Sequence, residues 1–254
     1  LLLPVGAAAQ ERYMIGYAGF AGFQVSMWAA KDLGLLKKYG LDGETVLVPG
    51  TTRQIQALIG ESIHFAHVDA AGYIRAATRG AEMVLVGGSL NKFPFSLVAQ
   101  KEIVKPADLI GKKIGIVGFG GANDLAVTLL LREWNIPREK VTVLQAGGGA
   151  NRLAALSAKA LDATVLSHPE LGEALRAGMN ELGNLNDFKT ADYPMSALAV
   201  RPTFLQKNRD VVKGFWRAYA EGTYQFMNDK EKGIAILRNR LKQDNPRALE
   251  ETYR

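Results

Sequence analysis

Cysteine is absent from the 254 residues. That excludes disulfides, cysteine nucleophiles and thiolate metal sites, and leaves the redox state of the compartment open. Histidine is scarce, at three. His64 and His67 stand three apart in a predicted strand, so they face opposite sides and cannot hold one metal ion together; both read as packing or surface residues. His168 follows a predicted strand and precedes Pro169, so it is a candidate either for a hydrogen bond to a ligand or for a structural role. No G-x-S-x-G elbow is present, and GKK at Gly111 lacks the upstream glycine and the Ser or Thr of a phosphate-binding loop. Acid pairs such as Glu133 with Glu139 lie beside Lys and Arg on predicted surfaces and read as solvated ion pairs. Enzyme chemistry finds little support. After the first ten residues no segment holds the roughly 18 uninterrupted apolar residues of a membrane span.

What is present is an ordinary globular balance. Hydrophobic residues make up 48% and charged residues 22%, with a mean hydropathy of -0.02, and the length suits two lobes or one large α/β domain. The formal charge is +6. Lys and Arg are spread along the chain without the aromatic-interleaved clusters of a nucleic-acid binder, which leaves a mild bias towards anionic ligands or surfaces. The opening LLLPVGAAAQ reads as the end of a secretory signal, with cleavage after Ala9. The expected mature protein is soluble and exported.

Strand-like and helix-like runs alternate, the pattern of parallel sheets with crossover helices. Strands are predicted at Tyr13 to Ala18, Glu44 to Val48, Ser62 to Ala66, Met83 to Gly87, Phe93 to Lys101, Lys113 to Val117, Val141 to Leu144, Leu161 to Leu166 and Met195 to Arg201. An internal repeat organises them. LLKKYGLDGETVLVPG at Leu35 matches LLREWNIPREKVTVLQ at Leu130, and IQALIGESIHFAHVDA at Ile55 matches LAALSAKALDATVLSH at Leu153. In this register Leu41 falls on Ile136, Ala57 on Ala155, His64 on Asp162 and Asp69 on Ser167. Two similar α/β lobes are expected: residues 10–95 with 202–254, and residues 96–201. The extended FPFSLVAQKEIVKPADLIGKK would cross from the first to the second, and Met195 to Arg201 would cross back, making a hinge.

The stretch KKIGIVGFGGANDLAVTLLL from Lys112 resembles a dinucleotide fingerprint, but Asn123 stands where its last glycine belongs. The next strand ends at Gln145 and Ala146 instead of the acid that would hold a ribose. What survives is a small loop before a helix N-terminus whose free N–H groups suit a carboxylate, sulfonate, nitrate or phosphate. Gly147 to Ala150 and Pro49 to Thr52 open helices in the same way. Ligands of open α/β sheets sit beyond the carboxyl ends of the strands. Those ends nominate Phe20, Phe23, Gln24, Thr51, Thr52, Val68, Asp69, Ser89 and Asn91 in lobe one. In lobe two they nominate Phe119, Gly121, Ala122, Asn123, Gln145, Gly148, Ser167 and His168. This lining suits a small, partly apolar organic ligand. Simpler roles compete for several of these: Phe20 and Phe23 as core residues, Thr51 or Thr52 as a helix N-cap, and Asp69 as the cap of a helix from Ala70. Lys92, Arg53 and Arg152 are cations near enough to pair with an anion, with a solvated face as the default.

Four stretches, WAAKDLGLLKKYGLDGETVLV, QALIGESIHFAHVDAAGYIRAATRGAEMVLV, KPADLIGKKIGIVGFGGANDLAVTLLLREWNI and LAALSAKALDATVLSHPE, together resemble the periplasmic substrate-binding proteins of nitrate-, sulfonate- and taurine-type ABC importers and the related thiamine-precursor synthesis proteins. The resemblance implies a type II periplasmic binding fold: two α/β lobes joined by two hinge strands, a small organic anion clamped between them, and delivery to a membrane permease. A monomer without cofactor or metal is expected. An enzyme of pyrimidine, thiamine-precursor or small-molecule metabolism on the same fold is a second reading, although the synthases use a cysteine-rich motif that this chain cannot supply, and a sensor subunit is a third. Two departures stand out. His64 replaces an Asp common in the family, and the sequence stops at ALEETYR inside a predicted helix, short of the family's final helices.

Overall fold

The computed structural model describes residues 12–188 and 192–254; the proposed signal remnant lies outside them. The first half of the chain forms β1 (Arg12–Tyr17), α1 (Val25–Asp32), α2 (Leu35–Lys38), β2 (Asp42–Leu47), α3 (Thr51–Ile59), β3 (Ala66–Val68), α4 (Ala70–Ala77) and β4 (Val84–Lys92). There follow β5 (Ser96–Ala99), β6 (Lys113–Ile116), α5 (Ala122–Glu133), β7 (Thr142–Gln145), α6 (Gly149–Ser157), β8 (Ala163–Leu166), α7 (Glu170–Arg176) and β9 (Asn180–Asn184). The chain ends with β10 (Asp192–Val200), α8 (Pro202–Lys207), α9 (Arg209–Asn228), α10 (Lys230–Leu241) and α11 (Pro246–Tyr253).

The strands form two arrays with the same order and the same directions. In one, β1 pairs in parallel with β2 and meets β3 through an Ile15–Phe65 bridge, while β10 runs antiparallel between β3 and β4. In the other, β6 pairs in parallel with β7 and β8, and β5 runs antiparallel between β8 and β9. Each array therefore takes its antiparallel strand from the segment that follows a crossing. This changes the reading of Met195 to Arg201: it is no crossing strand, since Ala197 to Val200 already pair with β3 and β4. The crossings lie just before it and just before β5, where Phe93 and Tyr193 stack with ring centroids 4.5 Å apart. β9 was not among the expected strands, because NELGN carries no β-branched residue.

Each sheet is covered on both faces, as buried parallel strands require. Alternation along a strand shows it. Leu198 joins a core with Trp28, Phe65 and Phe215, while Ala199 joins one with Ile55, Leu58 and Val68. In the second lobe Leu97 packs with Ile114, Val127 and Leu130, and Val98 with Leu156 and Leu161. α9 buries Val212, Phe215, Ala218, Tyr219 and Phe226 at helical spacing. Gly222 lets it approach α1 closely, since a Cβ there would lie 2.8 Å from the Ala30 nitrogen.

The repeat survives in hydrogen-bonding detail. Leu41 N–H donates to Leu36 O and Ile136 N–H to Leu131 O; Ser62 N–H donates to Ala57 O and Ala160 N–H to Ala155 O. At the departure from the family pattern, Asp162 Oδ2 accepts from Lys113 N–H at 2.7 Å, and His64 Nδ1 accepts from Met14 N–H at 2.9 Å. The imidazole thus does the work of the carboxylate, tying the turn to the first strand of its lobe. Among the described residues no helix is long and apolar enough to cross a membrane.

Candidate functional site

The carboxyl ends of β1, β2 and β3 face those of β6, β7 and β8 across a cavity of about 310 Å³. Three helices start at its wall: α3, α5 and α6 have Gly50, Gly121 and Gly148 as N-caps, and no side chain caps any of them. Their first-turn N–H groups and partial positive charge therefore remain for a bound group. Glycine is required at Gly50 and beside the other two, at Gly120 and Gly147, where φ lies between +77° and +81°.

From the first lobe, Phe20, Phe23 and Gln24 line the cavity. Phe20 is 47% exposed and leans on Tyr17 and Trp28, Phe23 meets Phe95 edge-on, and Gln24 is buried. Thr51 and Thr52 also line it, but neither is an N-cap. Thr51 instead donates to Asp69 Oδ2, and Thr52 reaches across to Phe119 O at 3.4 Å. Val68 and Asp69 complete this wall. Asp69 does cap α4, accepting from Gly72 N–H at 3.0 Å, and it also accepts from Tyr193 OH at 2.6 Å. Its carboxylate is saturated by the protein, which leaves little of it for a solute.

From the second lobe come Phe119, Gly121, Ala122, Asn123, Gln145, Gly148 and Ser167. Phe119 stands half exposed, while Asn123 is 6% exposed with no partner for Oδ1. Asp124 steadies the glycine loop by accepting from Gly120 N–H at 2.8 Å, and Arg138 pairs with Asp124 in turn. The lobes touch on both sides of the cavity, through Thr52 and Phe119 at one and through Gly22 N–H donating to His168 O at the other.

Three nominated residues lie elsewhere. Ser89 and Asn91 were placed after a strand ending at Gly87, but β4 runs on to Lys92 through a bulged pairing with β10. Ser89 there donates to Ser196 O, and Asn91 is exposed. His168 contributes its carbonyl to the Gly22 contact, while its ring lies beside Gly172.

Two charges at the cavity are buried: Arg152, for which a solvated face is the default in sequence, and Glu170, which the sequence does not single out. Arg152 is 3% exposed; its guanidinium donates to Thr164 Oγ1, Gly147 O and Val165 O at 3.1, 2.6 and 3.0 Å. Burial pushes its pKa down to about 10, and the charge of Glu170 works against that. Glu170 is 9% exposed, and burial raises its pKa, opposed by its own backbone N–H and by Arg152. The repeat held a signal for the arginine: Arg152 falls on Gln54, also fully buried, and each donates its N–H to the glycine cap of its helix.

His67 lines the cavity as well. Its Nδ1 lies 2.9 Å from Gly16 O; a carbonyl only accepts, so Nδ1 carries the hydrogen and Nε2 is an acceptor. Burial lowers its pKa, against the pull of the Gly16 carbonyl. The unfolded chain therefore takes up a proton below about pH 6.5 that the folded ring refuses, and stability present at neutral pH is lost as pH falls, by up to about 1.4 kcal/mol per unit. Urea midpoints measured between pH 7 and 5 should fall less steeply for His67→Gln than for the parent; parallel slopes would show that the ring charges freely in the fold.

The NMT1/THI5-like family model matches residues 24–232. The chain belongs to the NMT1/THI5-like family. A protein of Brucella abortus (strain 2308), named only as a binding protein, is 28% identical over 235 residues, covering 91% of this chain and 72% of the relative. The alkanesulfonate-binding protein SsuA of Xanthomonas axonopodis pv. citri, solved with MOPS bound, superposes with a TM-score of 0.80 at 20% identity, over 97% of this chain and 84% of that one. The periplasmic nitrate-binding protein NrtA of Synechocystis PCC 6803 gives 0.77 at 16%, over 95% and 68%. This member of the NMT1/THI5-like family therefore has the two-lobed periplasmic binding protein fold.

Proposed function

We propose that the chain is the solute-binding component of an ABC importer, which captures a small organic anion between its lobes and hands it to a membrane permease from the periplasm. One observation carries the reading: glycine-capped helix N-termini from both lobes open on one cavity beside a buried arginine. Such a lining binds and orients an anion through backbone N–H groups and helix charge. The half-exposed Phe20 and Phe119 add apolar area that a bare inorganic ion would leave unused. Binding by SsuA and NrtA supports the class. Contacts from both walls favour the closed arrangement, so the solute acts by population shift and the permease reads closure. The protein acts as a monomer.

The test is a calorimetric screen of small sulfonates and carboxylates, followed by small-angle scattering with and without the member that binds. Saturable one-to-one binding with a decrease in radius is expected. Consumption of the solute, or binding only to inorganic ions, would overturn the reading.

A further inference from the structure

The last helix meets both lobes. α11 belongs to lobe one by its core, since Leu249 packs in the cluster of Trp28, Phe215 and Leu237. Its other side reaches α7, whose Leu171 and Ala174 lie in a core of lobe two. There Arg176 Nη1 donates to Glu251 Oε2 at 2.6 Å, with side chains 30% and 27% exposed. Arg247 donates to the other carboxyl oxygen at 2.9 Å and holds the carboxylate in place from its own helix. Just ahead of α11, Gln243 Nε2 donates to Glu173 Oε1 of α7 at 3.1 Å.

Two glycines make room for these contacts, one on each side of the cavity. A Cβ on Gly22 would lie 2.7 Å from Thr252 Cγ2 and 3.0 Å from Thr252 O. A Cβ on Gly172 would lie 2.4 Å from Glu251 Oε2 and 3.0 Å from Arg176 Nη1. Neither glycine has a positive φ, so what each supplies is space. Gly22 leads into Phe23 and Gln24, and Gly172 follows Glu170, all three of which line the cavity. α11 thus packs against segments of both lobes that continue into the cavity wall, while none of its own residues lines the cavity. A cation on one lobe and an anion on the other stay paired only while the lobes touch.

We infer that the Arg176–Glu251 pair is a strap between the lobes, which favours the arrangement in which they touch and so sets solute affinity from outside the cavity. Arg176 and Glu251 are positioning residues: they act through the fraction of molecules already closed, by which the intrinsic affinity is scaled. The inference rests on the proposed movement of the lobes and is independent of which solute they take.

The chain has no cysteine, so two can be introduced to carry spin labels. Leu47 and Leu144 suit them, being exposed residues near the carboxyl ends of β2 and β7 that do not line the cavity. Distances between the labels are then measured by double electron resonance on the solute-free protein. Glu251→Gln is expected to lower the ratio of closed to open molecules by about threefold, the size of effect a partly exposed ion pair can have. Gly172→Ala should do the same by pushing the carboxylate away from Arg176. Its melting temperature should stay within about 3 °C of the parent, because the crowded atoms end flexible side chains and alanine suits a helix better than glycine. Salt at about 1 M should shift the parent towards open and leave Glu251→Gln where it is. Unchanged distances in either variant, or a salt response that Glu251→Gln keeps, overturn the strap. No solute is present, so these outcomes are separate from those of the calorimetric screen.

Discussion

Gly121→Trp is expected to weaken solute binding by at least about a hundredfold, a loss of roughly 2.7 kcal/mol, while the melting temperature stays within about 3 °C of the parent. Gly121 has φ of −103° and ψ of −177°, extended backbone open to any residue. A Cβ there would meet only Gly118 O, at 3.8 Å. The indole would therefore enter the cavity without displacing core, and it would cover the first N–H groups of α5 that the anion needs. Its neighbour shows why the choice of glycine matters. Gly120 has φ of +77° and lies against the Arg75 side chain, so a side chain there would combine backbone strain of about 1–2 kcal/mol with any effect on binding. Calorimetry for affinity and a thermal melt for stability check the pair of outcomes. Retained affinity at an unchanged melting temperature would place the solute elsewhere.

The architecture was legible because two signals agreed: the order of strand-like and helix-like runs, and a repeat whose matched residues make matched hydrogen bonds. His64 against Asp162 is the clearest case, since a substitution that looked like a departure preserves the bond it had to make. The strand ends that meet the cavity were legible wherever a β-branched run stops at glycine or a capping residue, as at Val117 to Gly121. They were misread at β4, where Gly87 and Gly88 look like a terminus. There the glycines serve packing: a Cβ on Gly87 would lie 2.3 Å from the Trp216 ring, and the strand continues to Lys92. The buried charges failed for another reason. A cation one turn into a helix looks the same in sequence whether that face meets water or a neighbouring strand, and only the approach of β8, with Thr164 and Val165, decides it for Arg152. Asp69 failed by half. Its capping role follows from its place before Ala70, whereas its bonds to Thr51 and Tyr193 depend on long-range packing that no local pattern encodes.

Asp69→Ala is the substitution expected to cost the fold most among the cavity residues, about 3 kcal/mol, or roughly 6–12 °C in melting temperature. Asp69 is 1% exposed. Removing its carboxylate uncaps α4 and leaves two buried or half-buried hydroxyls, Thr51 and Tyr193, without their acceptor. Burial, reinforced by Asp69, raises the Tyr193 pKa, so the phenol remains a donor at any working pH. Asp69→Asn keeps an acceptor for the Gly72 N–H and offers Thr51 a donor that its hydroxyl can accept, so its loss should be nearer 1 kcal/mol. Tyr193→Phe should lose about 2 kcal/mol, because the ring stays stacked on Phe93 while two hydrogen bonds go, the one donated to Asp69 and the one accepted from Ala71 N–H. The effects of Asp69→Ala and Tyr193→Phe should fall short of additivity, since both remove the same bond. That coupling has a functional side. Tyr193 belongs to the segment that crosses between the lobes, and Asp69 belongs to the cavity wall, so their bond joins the crossing segment to the cavity wall. Full additivity in denaturant melts would mean that the crossing segment and the cavity wall are energetically separate.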